Sequence, residues 1–485
     1  MRTFKDVQTG ELPDTLSLLL EGGDARIRIV SGCNEYGCRP NPDPALISFA
    51  SCTASTISES GFAAADALRQ RIVKEPSGFT CDREFSRIRQ ELASLCDLQD
   101  PGGLKILFAA SGTDIHLIAS RLIAPEHIIM VEAAETGRGV PLALSGHHFG
   151  TGSARGRCLA REDALAEDTI FSVSEVSIRN ADGSSRDARE IDDDVSRLVS
   201  SRIKTGGRVL LVLVDISKTG IIAPSPSCAM ELKERYPRSV EVLVDACQFR
   251  LSSSTLKAYL DKGFMIALTG SKFLTGPAFS GALLIPETVR NLKTPDGLPL
   301  SSSRFERPEK IWPEGTGTGI NFGLLLRWEA ALAEFRAFRG IPEKAAAEFL
   351  HSFARAIRCR LTSDPHLEAL TVPVIKRLGL TEGKSWDAIQ TIFPFRLRKD
   401  GRRLEPQETL HIHDLLQKDL SNLSNHPAAS LRCSLGQPVR CGETGNALRL
   451  CASARLVGEG IENPGMVIRR ALSVLDKIDL LLNLP

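Results

Sequence analysis

Apolar runs and apolar positions at helical spacing alternate along the first half of the chain. The continuous aliphatic run Val209–Ile216 is typical of a strand that is covered on both faces. Segments Phe62–Val73 and Phe85–Leu95 carry apolar residues at helical spacing, and a helix over 114–123 is followed by a strand over 127–131. This alternation predicts an α/β fold, with a mainly parallel sheet and helices on both of its faces.

Changes in composition divide the chain into three predicted parts. An N-terminal arm covers residues 1–44, a large domain covers 45–320, and a long linking helix with a small α+β C-terminal domain covers 321–485. The linking helix is predicted over Phe322–Phe338, and the polar block Asn180–Asp194 is predicted to be an exposed loop or hairpin. Further elements are expected in the C-terminal part: helices near 343–361 and 407–423 and strands over Ala388–Leu397 and Ala447–Leu456.

Composition and charge narrow the class of protein. A chain of 485 residues that is 42% hydrophobic can bury a sizeable core, and its formal net charge of +1 gives no reason to expect nucleic acid or an anionic membrane as partner. No run approaches the ~18 apolar residues of a membrane span, and the N-terminus lacks a signal-peptide pattern, so we expect a cytoplasmic protein. The 12 cysteines are scattered, which favours reduced thiols, and Cys33 and Cys38 lack a second pair at zinc-like spacing, so no metal site is predicted.

One lysine lies in an otherwise uncharged stretch. The segment Phe264–Pro286 consists of two apolar strands joined by a turn, and that turn carries Lys272. Desolvation can lower the pKa of a buried ammonium group by ~3–5 units, which makes the amine a nucleophile toward carbonyl groups. From this stretch alone, a solvent-exposed lysine in a loop between two strands is an equally good interpretation.

Two other strands end in polar groups that suit the same chemistry. The strand Val240–Asp245 ends in a carboxylate, with Gln248 three residues later. The strand that begins at Leu104 runs into Ser111-Gly112-Thr113 and then into a helix, and such a turn binds anions through free N–H groups and the helix dipole. Taken singly, the aspartate could equally cap a helix, and Ser-Gly-Thr is a common turn composition.

Phosphate turn, carboxylate and lysine, in this order, resemble the pyridoxal-phosphate enzymes of the aspartate-aminotransferase fold (fold type I), with the class V aminotransferase and cysteine desulfurase branch as the nearest. The resemblance implies a seven-stranded sheet in the large domain and pyridoxal 5'-phosphate as the cofactor. It assigns Lys272 to the imine, Asp245 to the pyridinium nitrogen and Gln248 to the ring oxygen. The residues that it assigns to the phosphate are Ser111, Gly112, Thr113, Thr269 and Ser271.

The resemblance extends to two sites outside this core. Gly317-Thr318 looks like the pair through which a partner subunit reaches the phosphate, with Thr316 as the alternative, and this implies a homodimer with shared active sites. Arg449 occupies the place of the arginine that binds the substrate carboxylate, for which a guanidinium fork is well suited. A flexible glycine loop and a surface strand arginine remain the alternatives.

The implied function is an enzyme that acts on an amino acid or related amine through an external aldimine, with the freed Lys272 amine removing the α-proton. Transamination and β- or γ-elimination or replacement share these first steps. The second hypothesis is a non-catalytic binding module that keeps the fold.

The sequence departs from the desulfurase branch at the histidine that stacks on the cofactor ring. Glu135 stands near that place, and His147 and His148 are the candidate replacements. A cysteine desulfurase or selenocysteine lyase also needs a mobile thiolate shortly before the arginine, and Cys433 is the candidate at a tolerable distance.

Overall fold

The computed structural model describes residues 12–50, 55–75, 81–98, 103–150, 161–162, 170–289, 292, 321–383, 385–443 and 445–484. Within these residues, no helix is both long enough and apolar enough to cross a membrane. The helices are α1 Thr15–Leu19, α2 Glu59–Lys74, α3 Cys81–Leu95, α4 Gly112–Ile123, α5 Val140–Leu144, α6 Ala188–Lys204, α7 Pro226–Arg235, α8 Ser253–Asp261, α9 Phe322–Arg339, α10 Glu343–Ser363, α11 Pro406–Leu416, α12 Ala454–Glu462 and α13 Pro464–Asn483.

The strands form two sheets. Their bounds are β1 Leu46–Phe49, β2 Lys105–Ala109, β3 His127–Val131, β4 Ser172–Val176, β5 Val209–Val214, β6 Val240–Asp245, β7 Met265–Thr269, β8 Gly281–Ile285, β9 Leu367–Ala369, β10 Ile392–Lys399, β11 Arg402–Arg403, β12 Arg432–Arg440 and β13 Asn446–Cys451.

The larger sheet has seven strands in the order β2-β8-β7-β6-β5-β3-β4. Only β8 runs antiparallel to its neighbours, so the sheet is mainly parallel. Every residue of the central strands β5, β6 and β7 is buried, as expected where helices cover both faces. The predicted α/β class with a seven-stranded sheet is confirmed.

The smaller sheet has the order β1-β12-β13-β10-β11, with β9 paired to β10. Its pairs are antiparallel except β1 with β12, where Leu46 lies opposite Arg432 in a parallel register. The strand that follows the predicted arm therefore joins strands from the C-terminal part of the chain.

The polar block Asn180–Asp194 is only partly the loop that we expected. Helix α6 begins inside it, at Ala188, and the Asp187 side chain caps the helix by accepting a hydrogen bond from the Arg189 amide. Its buried residues Ile191, Val195 and Val199 recur every four positions, so they form one stripe on an otherwise polar helix. A block that stops at residue 194 contains only the first member of that stripe.

Two predicted C-terminal elements are shorter than expected. The strand predicted over Ala447–Leu456 ends at Cys451, because Ser453 caps helix α12 by accepting a hydrogen bond from the Leu456 amide. The helix predicted near 407–423 ends at Leu416.

Helix α9 is buried on nearly all sides, including Trp328 and the guanidinium of Arg327. Arg327 donates hydrogen bonds to the carbonyl oxygens of Leu19 (2.9 Å), Glu21 (2.7 Å), Gly22 (3.1 Å) and Phe279 (2.8 Å). This one side chain therefore ties the N-terminal segment to the loop between β7 and β8.

Candidate active site

A cavity of about 940 Å³ opens at the carboxyl ends of the parallel strands, where ligands bind in open α/β sheets. It brings together nine of the ten predicted site residues, and Thr318 lies outside the described residues. The nine are Ser111, Gly112, Thr113, Asp245, Gln248, Thr269, Ser271, Lys272 and Arg449.

The loop that carries Lys272 is held rigidly. Lys272 begins a short 3₁₀ turn with φ of 59°, a strained value for a residue with a side chain. The next residue, Phe273, is fully buried and stacks on Trp386 with ring centroids 5.0 Å apart. The Gly270 amide donates to the Ser280 carbonyl (2.7 Å) and the Gly276 amide to the Gly270 carbonyl (3.0 Å), which closes the loop on itself. The half-buried Lys272 side chain is thereby held at the cavity.

Asp245 faces a histidine that the sequence analysis missed. Its Oδ2 lies 3.3 Å from Nε2 of the buried His116, and its Oδ1 accepts a hydrogen bond from the Cys247 amide (3.1 Å). Burial alone would raise the pKa of Asp245, but the charges of His116 and Lys272 and these contacts outweigh burial and hold the pKa below its usual range. Asp245 is therefore a fixed negative charge in the cavity.

The amino end of α4 forms one wall of the cavity. Ser111 caps the helix, accepting a hydrogen bond from the Asp114 amide (3.2 Å) and donating its hydroxyl to the Asp114 carboxyl (2.5 Å). A Cβ atom at Gly112 would lie 3.0 Å from Sγ of Cys247 and 3.2 Å from Cγ2 of Thr269, so this turn packs closely against the ends of β6 and β7. Only a residue without a side chain fits there undisturbed.

Asp114 adds an acidic group to the first turn of α4. Burial raises its pKa to about 6, and the negative charge of Asp24 acts in the same direction, while the Ser111 hydroxyl and Arg26 oppose them. An anion at this helix end would favour the protonated form of Asp114 still further.

Thr269 and Ser271 are both buried in the cavity wall. The Thr269 hydroxyl donates to the Cys247 carbonyl (2.6 Å), and the Ser271 hydroxyl donates weakly to Oγ1 of Thr269 (3.4 Å). Gln248 is also buried, and its Oε1 has no hydrogen-bond partner among the described residues. The amide oxygen of Gln248 is thus left for a ligand.

Arg449 lies on β13, opposite Gly436 of β12, and is only 3% exposed. Its Nη1 donates to the Lys218 carbonyl (3.3 Å) and its Nη2 to the Gln437 carbonyl (2.8 Å). Its buried Nε has no partner within the described part of the chain. Nε and the remaining Nη hydrogens can therefore form a fork for a carboxylate.

The cavity lining also contains residues that were not found from the sequence, among them His116, Arg138 and Lys218. His116 is the only polar side chain in the first apolar stretch of α4, and Lys218 follows the end of β5. The signal for Lys218 was present, because β5 lies next to β6 in a parallel sheet and residues that follow neighbouring strands meet at the same edge.

Glu135 does not line the cavity. Its carboxylate pairs with Arg179 (2.6 Å) and accepts hydrogen bonds from the hydroxyls of Ser217 (2.8 Å) and Thr219 (2.7 Å). The next residue, Thr136, lines the cavity instead, and His147 bonds to the Ser145 hydroxyl (2.7 Å) without reaching the cavity wall.

Cys433 does not fit the mobile nucleophile that a desulfurase requires. It is fully buried on β12, opposite Ile47 of β1, and is absent from the cavity lining. Burial raises the pKa of its thiol to about 11, against a weaker opposing effect of Lys477. Like the other cysteines in the described part of the chain, Cys433 is a free thiol. Because it is buried away from the cavity, its role is structural.

The N-terminal segment contributes to the cavity wall. Arg26 pairs with Asp24 and lies over the ring of Phe279, 5.2 Å from its centroid, and all three residues line the cavity together with Tyr36. The predicted arm therefore packs against the body of its own chain.

Comparisons with known proteins place the fold but not the activity. No protein-family model matches the sequence, and no curated protein matches it. Among solved structures, the chain is similar to the cysteine desulfurase CsdA from Escherichia coli (14% identity, 90% of this chain and 95% of that chain, TM-score 0.52). It is similar to mouse CSAD (13% identity, 91% and 84%, TM-score 0.54) and to the tryptophan decarboxylase of Catharanthus roseus in complex with L-tryptophan (15% identity, 91% and 83%, TM-score 0.52). The chain thus has the fold type I architecture along most of its length, and a shared fold alone does not fix the chemistry.

Proposed function

We propose that the protein is a pyridoxal-phosphate-dependent enzyme that acts on an amino acid or related amine. One observation carries the proposal: Lys272, Asp245, the amino end of α4 and Arg449 open onto a single cavity of about 940 Å³. An amine, a fixed carboxylate, an anion-binding helix end and a carboxylate-binding arginine serve no common purpose in a structural core.

The residues present fit the cofactor. Lys272 would carry it, Asp245 would hold a proton on its ring nitrogen, and the buried amide of Gln248 would meet its ring oxygen. The phosphate would lie at the amino end of α4, between Ser111-Gly112-Thr113 and the Thr269–Ser271 turn. When bound, pyridoxal phosphate withdraws electrons from the α-carbon of an amine substrate.

The side chains around this position orient the substrate and move a proton. Arg449 binds the substrate carboxylate through its free Nε, which fixes the α-carbon within the cavity. The Nζ atom of Lys272 is then the group placed to accept the α-proton. Burial of Asp245, Gln248 and Arg449 keeps these interactions out of bulk water, and electrostatic interactions are stronger in such a low-dielectric site than in water.

Two reaction classes follow from this arrangement, transamination and elimination or replacement at the β- or γ-carbon, since both begin with removal of the α-proton. Desulfuration through Cys433 gains no support, because that thiol is buried away from the cavity.

We also propose a homodimer in which the partner subunit completes the phosphate site through Thr318. The support is the Gly317-Thr318 pair in the sequence, which precedes α9 as in the enzymes that the chain resembles. Light scattering at several concentrations measures the mass in solution, and a monomer at all of them would contradict the proposal.

The test of the cofactor is spectroscopic. Protein incubated with pyridoxal phosphate should show a visible absorption band that borohydride removes, and digestion should then place the added mass on Lys272. Lys272→Ala should lose both signals, whereas Lys262→Ala, at an exposed residue after α8, should keep them. A colourless wild type, or a band and mass unchanged in Lys272→Ala, would refute the proposal and favour a non-catalytic module.

A further inference from the structure

A second lysine, Lys218, lines the cavity on the side of Arg449. Its Nζ donates a hydrogen bond to the Ala134 carbonyl (3.0 Å), which leaves two of its three N–H groups unused. Its own carbonyl accepts the hydrogen bond from Nη1 of Arg449 (3.3 Å). The two cationic residues are therefore adjacent in one wall.

This wall holds more positive charge than a single carboxylate would neutralise. Arg138 also lines the cavity and contributes a third cation at its rim, beyond Lys218 and Arg449. Among the described residues, no salt bridge joins a carboxylate to any of these three. The acidic group whose charge acts on Lys218 is Glu135, and its oxygens already accept hydrogen bonds from Arg179, Ser217 and Thr219.

The lowered pKa of Lys218 reflects the same excess of positive charge. Burial, together with the neighbouring charges of Arg449, Lys272 and Arg138, lowers the pKa of Lys218 to about 7, while the charge of Glu135 opposes this shift. A half-buried cation such as Lys218 among like charges is costly unless an anion joins it. Asp245 and the amino end of α4 have their own proposed partners, since they would face the cofactor ring and its phosphate.

We propose that Lys218, with Arg138 at the rim, binds a second anionic group of the substrate, so that the substrate is an amino acid with an acidic side chain. Arg449 takes the α-carboxylate, and the two unused N–H groups of Lys218 take the side-chain carboxylate. The inference rests on the proposed function, because it treats Arg449 as the site of the α-carboxylate.

The test uses ligands that lack an amine and so cannot react. Succinate carries two carboxylates, and succinamate has the same length with one carboxylate replaced by an amide. Calorimetry on the protein loaded with pyridoxal phosphate should show succinate binding at least about tenfold more tightly, the size expected of one hydrogen bond to a charged group. Lys218→Met should bring the ratio close to one while leaving succinamate affinity nearly unchanged, and Lys218→Arg should keep the preference.

One control variant and the pattern of results separate the possible outcomes. Lys257→Met, at an exposed lysine of α8, should keep the wild-type ratio. Equal binding of the two ligands by the wild type, or an unchanged ratio in Lys218→Met, overturns the inference even when the cofactor band is present. Loss of affinity for both ligands in equal proportion in Lys218→Met would also overturn it, since that is the result of a purely structural contact with Ala134. Absence of the cofactor band with the succinate preference intact would instead refute the proposed function and leave the anion site standing.

Discussion

Gly436 lies against the guanidinium of Arg449, and replacing this glycine tests the role of that arginine without touching its charge. A Cβ atom at position 436 would lie 2.9 Å from Nη2, 3.0 Å from Cζ and 3.1 Å from Nε of Arg449. Gly436→Ala should therefore displace the guanidinium, because carbon atoms do not approach so closely in folded proteins.

The size of the effect follows from the geometry. Ordinary contact requires a movement of about half an ångström, and Arg449 is buried and tied to the Lys218 and Gln437 carbonyls, so it has little room to adapt. A displaced guanidinium would lose one of its hydrogen bonds to the ligand carboxylate, which lowers the binding free energy by about 1.5–3 kcal/mol. We expect succinamate to bind about 10- to 100-fold more weakly.

The assay is calorimetry of succinamate binding to the loaded protein, with thermal unfolding measured in parallel. Gly458→Ala is the matched control, because a Cβ there would meet only Cδ1 of Ile341 at 3.9 Å. The cofactor band should survive in both variants. Wild-type affinity in a folded Gly436→Ala protein would show that Arg449 does not bind the carboxylate.

Three further predictions concern the cavity wall and the core. Asp215→Asn should cost about 3 kcal/mol in denaturant unfolding, the low end for a broken buried pair, because Arg377 donates to both Asp215 oxygens at 2.7 Å and keeps a second buried carboxylate, Asp387, at 3.7 Å; Asp261→Asn, at an exposed pair, should cost less than about 1 kcal/mol, and equal costs would contradict this reasoning. Pyridoxal phosphate should bind Asp114→Asn more tightly than the wild type, with a difference that is small below about pH 6, where Asp114 is protonated, and grows as pH rises above it; a gap that does not change with pH would contradict the assigned pKa. Arg327→Met should make the N-terminal segment susceptible to protease before global unfolding, because four carbonyl groups lose this donor, while the Gly22 carbonyl keeps its hydrogen bond from Asn321; unchanged cleavage would contradict the anchoring role.

The central sheet and the main chemical residues were predictable because their signals are local. Runs such as Val209–Val214 have no exposed face, so continuous hydrophobicity identified them as buried strands. Asp245 is the last residue of such a strand and Lys272 comes three residues after another, and an ionisable group at the carboxyl edge of a parallel sheet is rarely without use. Their convergence on one cavity follows from the strand order.

The missed residues depend on contacts between distant segments. The charge of Glu135 acts on Lys218 although the two residues are 83 positions apart in the sequence. Nothing in the sequence indicated that Arg179 would form the ion pair with the Glu135 carboxylate. The same holds for His116, whose ring meets Asp245 only after α4 packs beside β7 and β8. The sequence shows which residues lie at the end of a strand. The direction in which each side chain points depends on packing between distant segments, which the sequence does not show.

The parallel pair of β1 and β12 has a consequence for biosynthesis. Leu46 leaves the ribosome 386 positions (432 − 46) before its partner Arg432. At about 5–20 residues per second, the early strand waits for roughly 20 to 80 seconds with its backbone groups unpaired. A nascent chain of this protein therefore needs protection of that strand by a chaperone or by its own neighbouring helices until translation is almost complete.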